Sequence, residues 1–486
     1  MTQKHIALLL LIAVAAILVH GYHPAVEDGE LYLPGIKKDL NPALYPFNDQ
    51  FFMSHARMTL FDELVAFTVR ISHLPFDYVI LVWHIACVFL FLLGCWRVAH
   101  ICFRSDLAAW GGVGLVASML TIPVAGTALY IMDQYLTPRD LSTAGIMLVL
   151  PEALRGRLWR AVIGMLLIAL IHPLMCVFGF TLLAFLYFQE RRLAAMAGKV
   201  NSAVAVMLLL PLPFLASPSN IYRHLLRTND SYFLVLRWPW YEWAGIVVPF
   251  LLLWWMAHYG KSHGLRQVEA LSRSLVIFGA VFFVAALLLC IPRLAGLALL
   301  QPMRCLHLIF ILLFVMLGGV LAESVLKSQL WRWFAVFVPL CLLMFLVQRQ
   351  LFPASEHLEL SGRASGNRWV QAFQWARSHT PRNAVFALDP DYMNLPGEDE
   401  HGFRAIAERS TLATIHDNGG VSMFPALAQN WYAQLQAQQG WRSFHLQDFR
   451  RLQSQYGATW VVLQNREVPG LSCPYSNDTV MVCRLD

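Results

Sequence analysis

Three carboxylates within four residues, Glu27-Asp28-Gly29-Glu30, follow directly on the first apolar run of the chain. A carboxylate in that place can take the proton of an attacking hydroxyl, or orient a metal or a sugar; the bland alternative is a solvated acidic loop. A second polar group, Met132-Asp133-Gln134-Tyr135-Leu136-Thr137-Pro138-Arg139-Asp140, lies between apolar segments. The Arg139 guanidinium offers a bidentate fork for phosphate oxygens, unless Asp133 or Asp140 takes it. Third, Pro302-Met303-Arg304 opens an apolar run, with His307 at the i, i+3 position on the same helix face. An arginine there either binds an anion or snorkels to headgroups. Fourth, His172 precedes Pro173 between two short apolar runs. It either contacts a phosphate or sugar or caps a broken helix. His84, inside a long apolar run, reads as structural.

The elements that position these residues belong to a membrane protein. The 486-residue chain is 58% apolar and 14% charged, whereas soluble domains are about 45–50% apolar and about 25% charged. Spans are expected at 5–21, 76–96, 107–126, 141–154, 161–172, 174–188, 200–216, 241–258, 274–291, 303–321 and 331–348, about eleven in all. The segments 141–154, 161–172 and 174–188 are too short to cross alone, and read as half-helices or a re-entrant pair bent at Pro173. The first run reads as an uncleaved span, because His20-Gly21-Tyr22-His23-Pro24 is a poor cleavage site.

Basic loops around Arg97, Arg155 to Arg160, Arg191 to Lys199, Lys261 to Arg273 and Lys327 to Arg332 share one side, which is cytoplasmic by the positive-inside rule. The N-terminus is then cytoplasmic, and the acidic loop and the C-terminal part lie outside. The charge of +6 is scattered over short loops, which excludes a nucleic-acid surface. A long first outer loop, 22–75, holds a helical stretch at 59–72 whose Leu60, Leu64, Phe67 and Ile71 suit the membrane interface.

Two domains follow: a membrane domain, 1–351, and an outer α/β domain, 352–486. In the second, helices are expected at 367–379, 426–438 and 446–456, and strands at 384–388, 411–415, 459–463 and 479–484. It contains no P-loop, GxSxG, HExxH or CxxC. Two of its cysteines, Cys473 and Cys483, either pair as a disulfide in an oxidising compartment or stay as thiols.

This layout resembles the GT-C superfamily of polyprenyl-phosphate-dependent membrane glycosyltransferases, in an uncharacterised bacterial branch. The resemblance rests on the uncleaved first helix, the Glu27-Asp28 pair opening a long outer loop, Tyr135-Leu136-Thr137-Pro138-Arg139, Ile171-His172-Pro173, and Thr380-Pro381-Arg382-Asn383-Ala384-Val385-Phe386. It implies an inverting transferase in the bacterial inner membrane. A sugar would move from a polyprenyl-phosphate donor to a glycan, lipid or protein acceptor on the periplasmic face. Asp28, with Glu27 beside it, takes the place of the catalytic base. The leaving lipid phosphate calls for cations, for which Arg139, Arg304 and His172 are the candidates and Lys37, Lys38 and Arg57 the reserves. The resemblance fixes no cofactor, and a divalent cation is left open. The rival readings are a non-catalytic membrane scaffold that presents its outer domain to a partner, and a lipid or solute transporter.

Overall fold

The computed structural model describes residues 1–194, 219–228, 231–464 and 466–485. Six helices among them are long and apolar enough to cross a membrane: Gln3–His20, Phe76–Phe103, Trp240–Ser262, Arg266–Leu289, Gly296–Leu326 and Leu330–Leu351. The expected span 200–216 lies outside the described residues. Apolar side chains on these helices remain exposed, among them Leu11, Trp254, Leu288 and Phe334, as expected of surfaces that lipid covers.

The shorter apolar segments differ from expectation. The helix within 107–126 is Asp106–Ala117. It ends there because the next residues serve polar contacts: His20 Nδ1 meets Thr121 Oγ1 at 2.7 Å, and Gln348 Nε2 donates to the same oxygen at 2.9 Å. The segment expected at 174–188 is a helix of 22 residues, Pro173–Ala194, and so is longer than a half-helix. It pairs with Leu158–Ala169 across the bend at Pro173. Close approach of Asp106–Ala117 to Cys305–Leu321 depends on small residues, since a Cβ on Gly111 would sit 2.3 Å from the Gly318 carbonyl oxygen.

At one end of the bundle, Glu152 gathers Arg97, Arg155, Arg157 and Arg160 within 2.8–3.7 Å. At the other end the first long loop folds into three helices, Gly29–Leu40, Gln50–Ala56 and Phe61–Ser72. The last of these presents Leu60, Phe67 and Ile71 outward, about half exposed or more, while Phe61, Val65 and Ala66 face the protein. Asp62 on the inner face is buried with neither carboxyl oxygen partnered, and burial pushes its carboxyl well above the usual range.

The C-terminal part builds a five-stranded sheet from β1 (Val385–Ala387), β2 (Ser410–Thr411), β3 (Trp460–Gln464), β4 (Ser472–Ser476) and β5 (Val480–Arg484). Its order is β2-β1-β3-β5-β4; β1 is parallel to β2 and β3, and β5 is antiparallel to β3 and β4. Alternate residues feed two cores. Phe386, Trp460, Val462 and Val482 pack with Trp369 and Phe373 on one face, and Val385, Val461, Leu463 and Cys483 with Phe449 and Leu452 on the other. A disulfide joins Cys473 on β4 to Cys483 on β5. The strand expected at 411–415 is only Ser410–Thr411, because Thr414 and Asp417 form a capping box that starts a short helical turn.

The C-terminal sheet and the first loop are bolted together. Arg404 is buried, with Nε 2.8 Å from Glu30 Oε1 and Nη2 on Asp417. Glu30 also accepts the backbone N–H groups of Arg404 and Ala405 at 3.0 and 2.9 Å. Lys37 reaches the Ala405 carbonyl and Glu408, and the Tyr45 hydroxyl donates to the Arg404 carbonyl. A second clamp sits nearby: Glu359 Oε1 lies 2.9 Å from both His23 Nδ1 and His401 Nε2. At the start of the loop, Gly21 has φ +88°, and a Cβ there would lie 3.0 Å from the His357 carbonyl oxygen, so only glycine suits the turn.

Two outcomes follow from these clamps. Arg404→Leu strands two buried carboxylates, and should cost about 3–5 kcal/mol of stability, seen as a lowered unfolding midpoint in detergent. For the second clamp, burial raises the Glu359 carboxyl, but His401 and His23 outweigh it and bring it down to about 2. Burial lowers His401, but Glu359 outweighs it and raises the imidazole above its usual value. The Glu359 contribution is present above its unfolded value of 4.5 and fades as pH falls towards 2. That of His401 is present below its unfolded value of 6.5, and fades as pH rises through the raised one. The difference in unfolding midpoint between the wild type and Glu359→Gln should therefore peak between these two unfolded values and shrink on either side.

Candidate active site at the membrane–domain junction

The acidic group divides its labour. Glu30 points into the Arg404 clamp and lines neither cavity described below. Glu27 has φ +45°, its N–H bonds to the Glu400 carbonyl at 3.0 Å, and its carboxyl accepts the Tyr135 hydroxyl at 2.8 Å. A left-handed glutamate is a strained position that the surrounding contacts must hold. The backbone turn sends Asp28 the other way, into the cavity. Its carboxylate is about one-third exposed, 3.3 Å from Arg139 Nη1.

Arg139 lies in the first turn of the helix Pro138–Leu154, which a reciprocal Thr137–Asp140 capping box starts. Its fork is buried between Asp28 and Asp133. The pairing with an aspartate that the sequence left open thus occurs, and it uses Asp133 and Asp28. Arg304 is the contrasting cation. It makes no ion pair among the described residues, and its Nε is buried without a partner. His307 instead ties its helix to the second loop, with Nε2 3.0 Å from the Ile131 carbonyl oxygen. Lys37 is held by Glu408, and Lys38 by Asp49, so neither reserve cation faces the cavity.

Two cavities meet at this point. A small one, about 100 Å³, is walled by Asp28, Arg139, His172, Arg304, His55 and Tyr32, and by Met58 and Leu174 towards the apolar end. His172 lines it while its Nδ1 accepts the Met175 N–H at 3.3 Å, so the cap and the cavity wall are the same side chain. A larger one, about 480 Å³, opens among Glu27, Glu400, Asp391, Asn394 and His416. Asp28, Arg304, Tyr232 and Gly419 border both. Asp28, Arg139 and Arg304, more than a hundred residues apart in sequence at each step, therefore converge on one junction.

The two neighbouring carboxyls are driven apart. Burial raises Asp28, but Arg139 above all, then His416, Arg304 and His55, outweigh it and hold it below the usual carboxylate value. Burial raises Glu27 well above the usual value, and the adjacent Glu400 carboxyl adds to the effect. The two are thus set apart in proton affinity: Asp28 is the more readily ionised, and Glu27 holds its proton more strongly. His55 is pushed down to about 4, by burial first and Arg304 after it, with Asp28 opposing, and it stays neutral. A divalent cation does not fit at Asp28: two guanidinium groups flank it, and among the described residues no three acidic, histidine or cysteine side chains are placed to hold a metal ion.

Sequence reasoning missed His55, Tyr232 and His416, whose isolated positions carry no motif. No protein-family model and no curated protein sequence matches the chain. Among solved structures, the chain is similar to the Archaeoglobus fulgidus oligosaccharyltransferase tethered with an acceptor peptide containing the NVT sequon. That match has 13% identity over 95% of this chain and 69% of that one, with a TM-score of 0.46. It is also similar to the oligosaccharyltransferase AglB of the same organism, in complex with an inhibitory peptide and a dolichol-phosphate. Here the identity is 12% over the same shares of the two chains, with a TM-score of 0.45.

Proposed function

We propose that the protein is an inverting glycosyltransferase that moves a sugar from a polyprenyl-phosphate carrier to an acceptor hydroxyl at the outer face of a bacterial inner membrane. The N-terminus lies in the cytoplasm and the sheet domain in the periplasm. The observation that carries the reading is the convergence of a readily ionised Asp28 and an unpartnered Arg304 at the wall between two cavities. One cavity suits a lipid phosphate, and the other an acceptor.

In the proposed reaction the acceptor oxygen bonds to the anomeric carbon as the bond from that carbon to the phosphate oxygen breaks. The hydroxyl proton passes to Asp28, and the electron pair of the broken bond leaves with the polyprenyl phosphate. Arg304 meets the charge that develops on the phosphate, in a site where water is scarce and the contact strong. His172 and His55, both neutral, are placed to hydrogen-bond the same oxygens. Arg139 is a positioning residue: its fork keeps Asp28 aimed and ionised. The transition state is oxocarbenium-like, and the Asp28 carboxylate also stabilises it.

Two measurements test this with polyprenyl-phosphate sugars and the protein in nanodiscs. Asp28→Asn should abolish transfer at unchanged folded yield, and wild-type transfer should stay flat as pH falls from 7 towards the unperturbed aspartate value of 3.8. The sign follows from the lowered Asp28 value, since the base keeps its charge through that range. An acid limb near neutral pH would instead assign the proton to Glu27, whose value is raised. Arg304→Gln should lower the rate by about 10² to 10³ and weaken binding of polyprenyl phosphate alone. Unchanged binding and rate would remove Arg304 from the phosphate site.

A further inference from the structure

The larger cavity does not end at the membrane domain. Pro390, Asp391 and Ile415 line both it and an open groove of about 610 Å³ on the sheet domain. Asp389, Gln436, Gln439, Trp441, Arg442 and Ser443 line the groove beyond them. The residues 388–391 and 412–415 follow the carboxyl ends of the parallel strands β1 and β2, which is where open α/β sheets bind ligands. The two hollows therefore border each other at Pro390, Asp391 and Ile415, and together they line a path from Asp28, past Glu400 and Asp391, to the open groove.

Its chemistry selects the occupant. Carboxyl groups of Glu27, Glu400, Asp391 and Asp389 follow one another along the path, with amides of Asn394, Gln436 and Gln439 between and beyond them. Of the two arginines on the path, Arg304 sits at the inner wall and Arg442 is drawn to Asp389 at 3.9 Å. Such a row repels phosphates and uronates. Planar carboxylates and amides match vicinal hydroxyls, each of which both donates and accepts. Leu435 and the small exposed edge of the otherwise buried Trp441 add an apolar border against which the C–H face of a pyranose can pack. A peptide bound by strand addition would need a free strand edge, and no residue of β1–β5 lines the groove.

We infer that this path binds an uncharged oligosaccharide, whose outer units lie along Gln436, Gln439 and Ser443 and whose terminal hydroxyl reaches Asp28. The inference rests on the transfer reading and names its acceptor class: the sheet domain is the part that holds the growing glycan.

The test reads binding without a donor lipid. Full-length protein in nanodiscs is titrated with mannohexaose, cellohexaose and chitohexaose, with hexagalacturonate as the anionic comparison and a Gly/Ser/Asn dodecapeptide as the peptide one. At least one neutral hexaose should bind, and hexagalacturonate should bind about tenfold more weakly or worse. Gln439→Trp and Ser443→Trp, two exposed positions that a large side chain would fill, should each weaken the hexaose about tenfold at unchanged unfolding midpoint. The inference is overturned if no neutral hexaose binds, if both tryptophan variants bind it as the wild type does, or if the peptide or hexagalacturonate is the ligand those variants expel. A protein that binds a hexaose but transfers no sugar fails the transfer reading alone. One that transfers sugar while its groove variants bind every hexaose unchanged fails this inference alone.

Discussion

The buried Arg404 between Glu30 and Asp417 is the contact on which the arrangement depends. Ion pairs of this kind add little stability compared with an apolar equivalent, and their removal is costly because charge is left stranded. What they supply is uniqueness of fit. Glu30 lies two residues after Asp28, so the clamp that fixes the C-terminal sheet also fixes the turn carrying the acid group. The left-handed Glu27 is held from three sides: by the Glu400 carbonyl, by the Tyr135 hydroxyl, and by the helix that Glu30 anchors.

Around that turn, opposite electrostatic environments act on adjacent residues. Glu27 faces carboxyl groups, while Asp28 faces guanidinium groups and histidines. The separation of two neighbouring acids in proton affinity follows from the direction in which each side chain leaves the backbone. Arg139 and Arg304 are likewise distinguished by company: one is saturated by aspartates, and the other has a buried nitrogen still unpartnered.

How much of this was legible in the sequence depended on the range of the forces involved. Local signals served well. The helix Leu446–Tyr456 falls on its expected bounds because the His445–Asp448 capping box opens it and Gly457, at φ +72°, closes it. Of the expected stripe Leu60, Leu64, Phe67 and Ile71, three side chains are exposed and Leu64 is half-buried, while Asp28, Arg139 and Arg304, picked by residue type and place, line one cavity. Strand β4 was not visible, because Ser472-Cys473-Pro474-Tyr475-Ser476 has the composition of a turn and becomes a strand through β5 and the disulfide. Glu30 looked like one more acid of a loop. Its true partner is 374 positions away, and nothing near Arg404 announces it.

That separation has a consequence for the life of the molecule. During synthesis Asp28 and Glu30 leave the ribosome early, long before Arg404 exists. Until the C-terminal sheet domain has been made and has docked, Glu30 is a lone carboxylate, and the turn next to it lacks the contact that holds its final form. Contacts so distant in sequence also form late in folding. A chain interrupted before Arg404 therefore lacks the clamp beside the Glu27–Asp28 turn, which forms only once the sheet domain has been made.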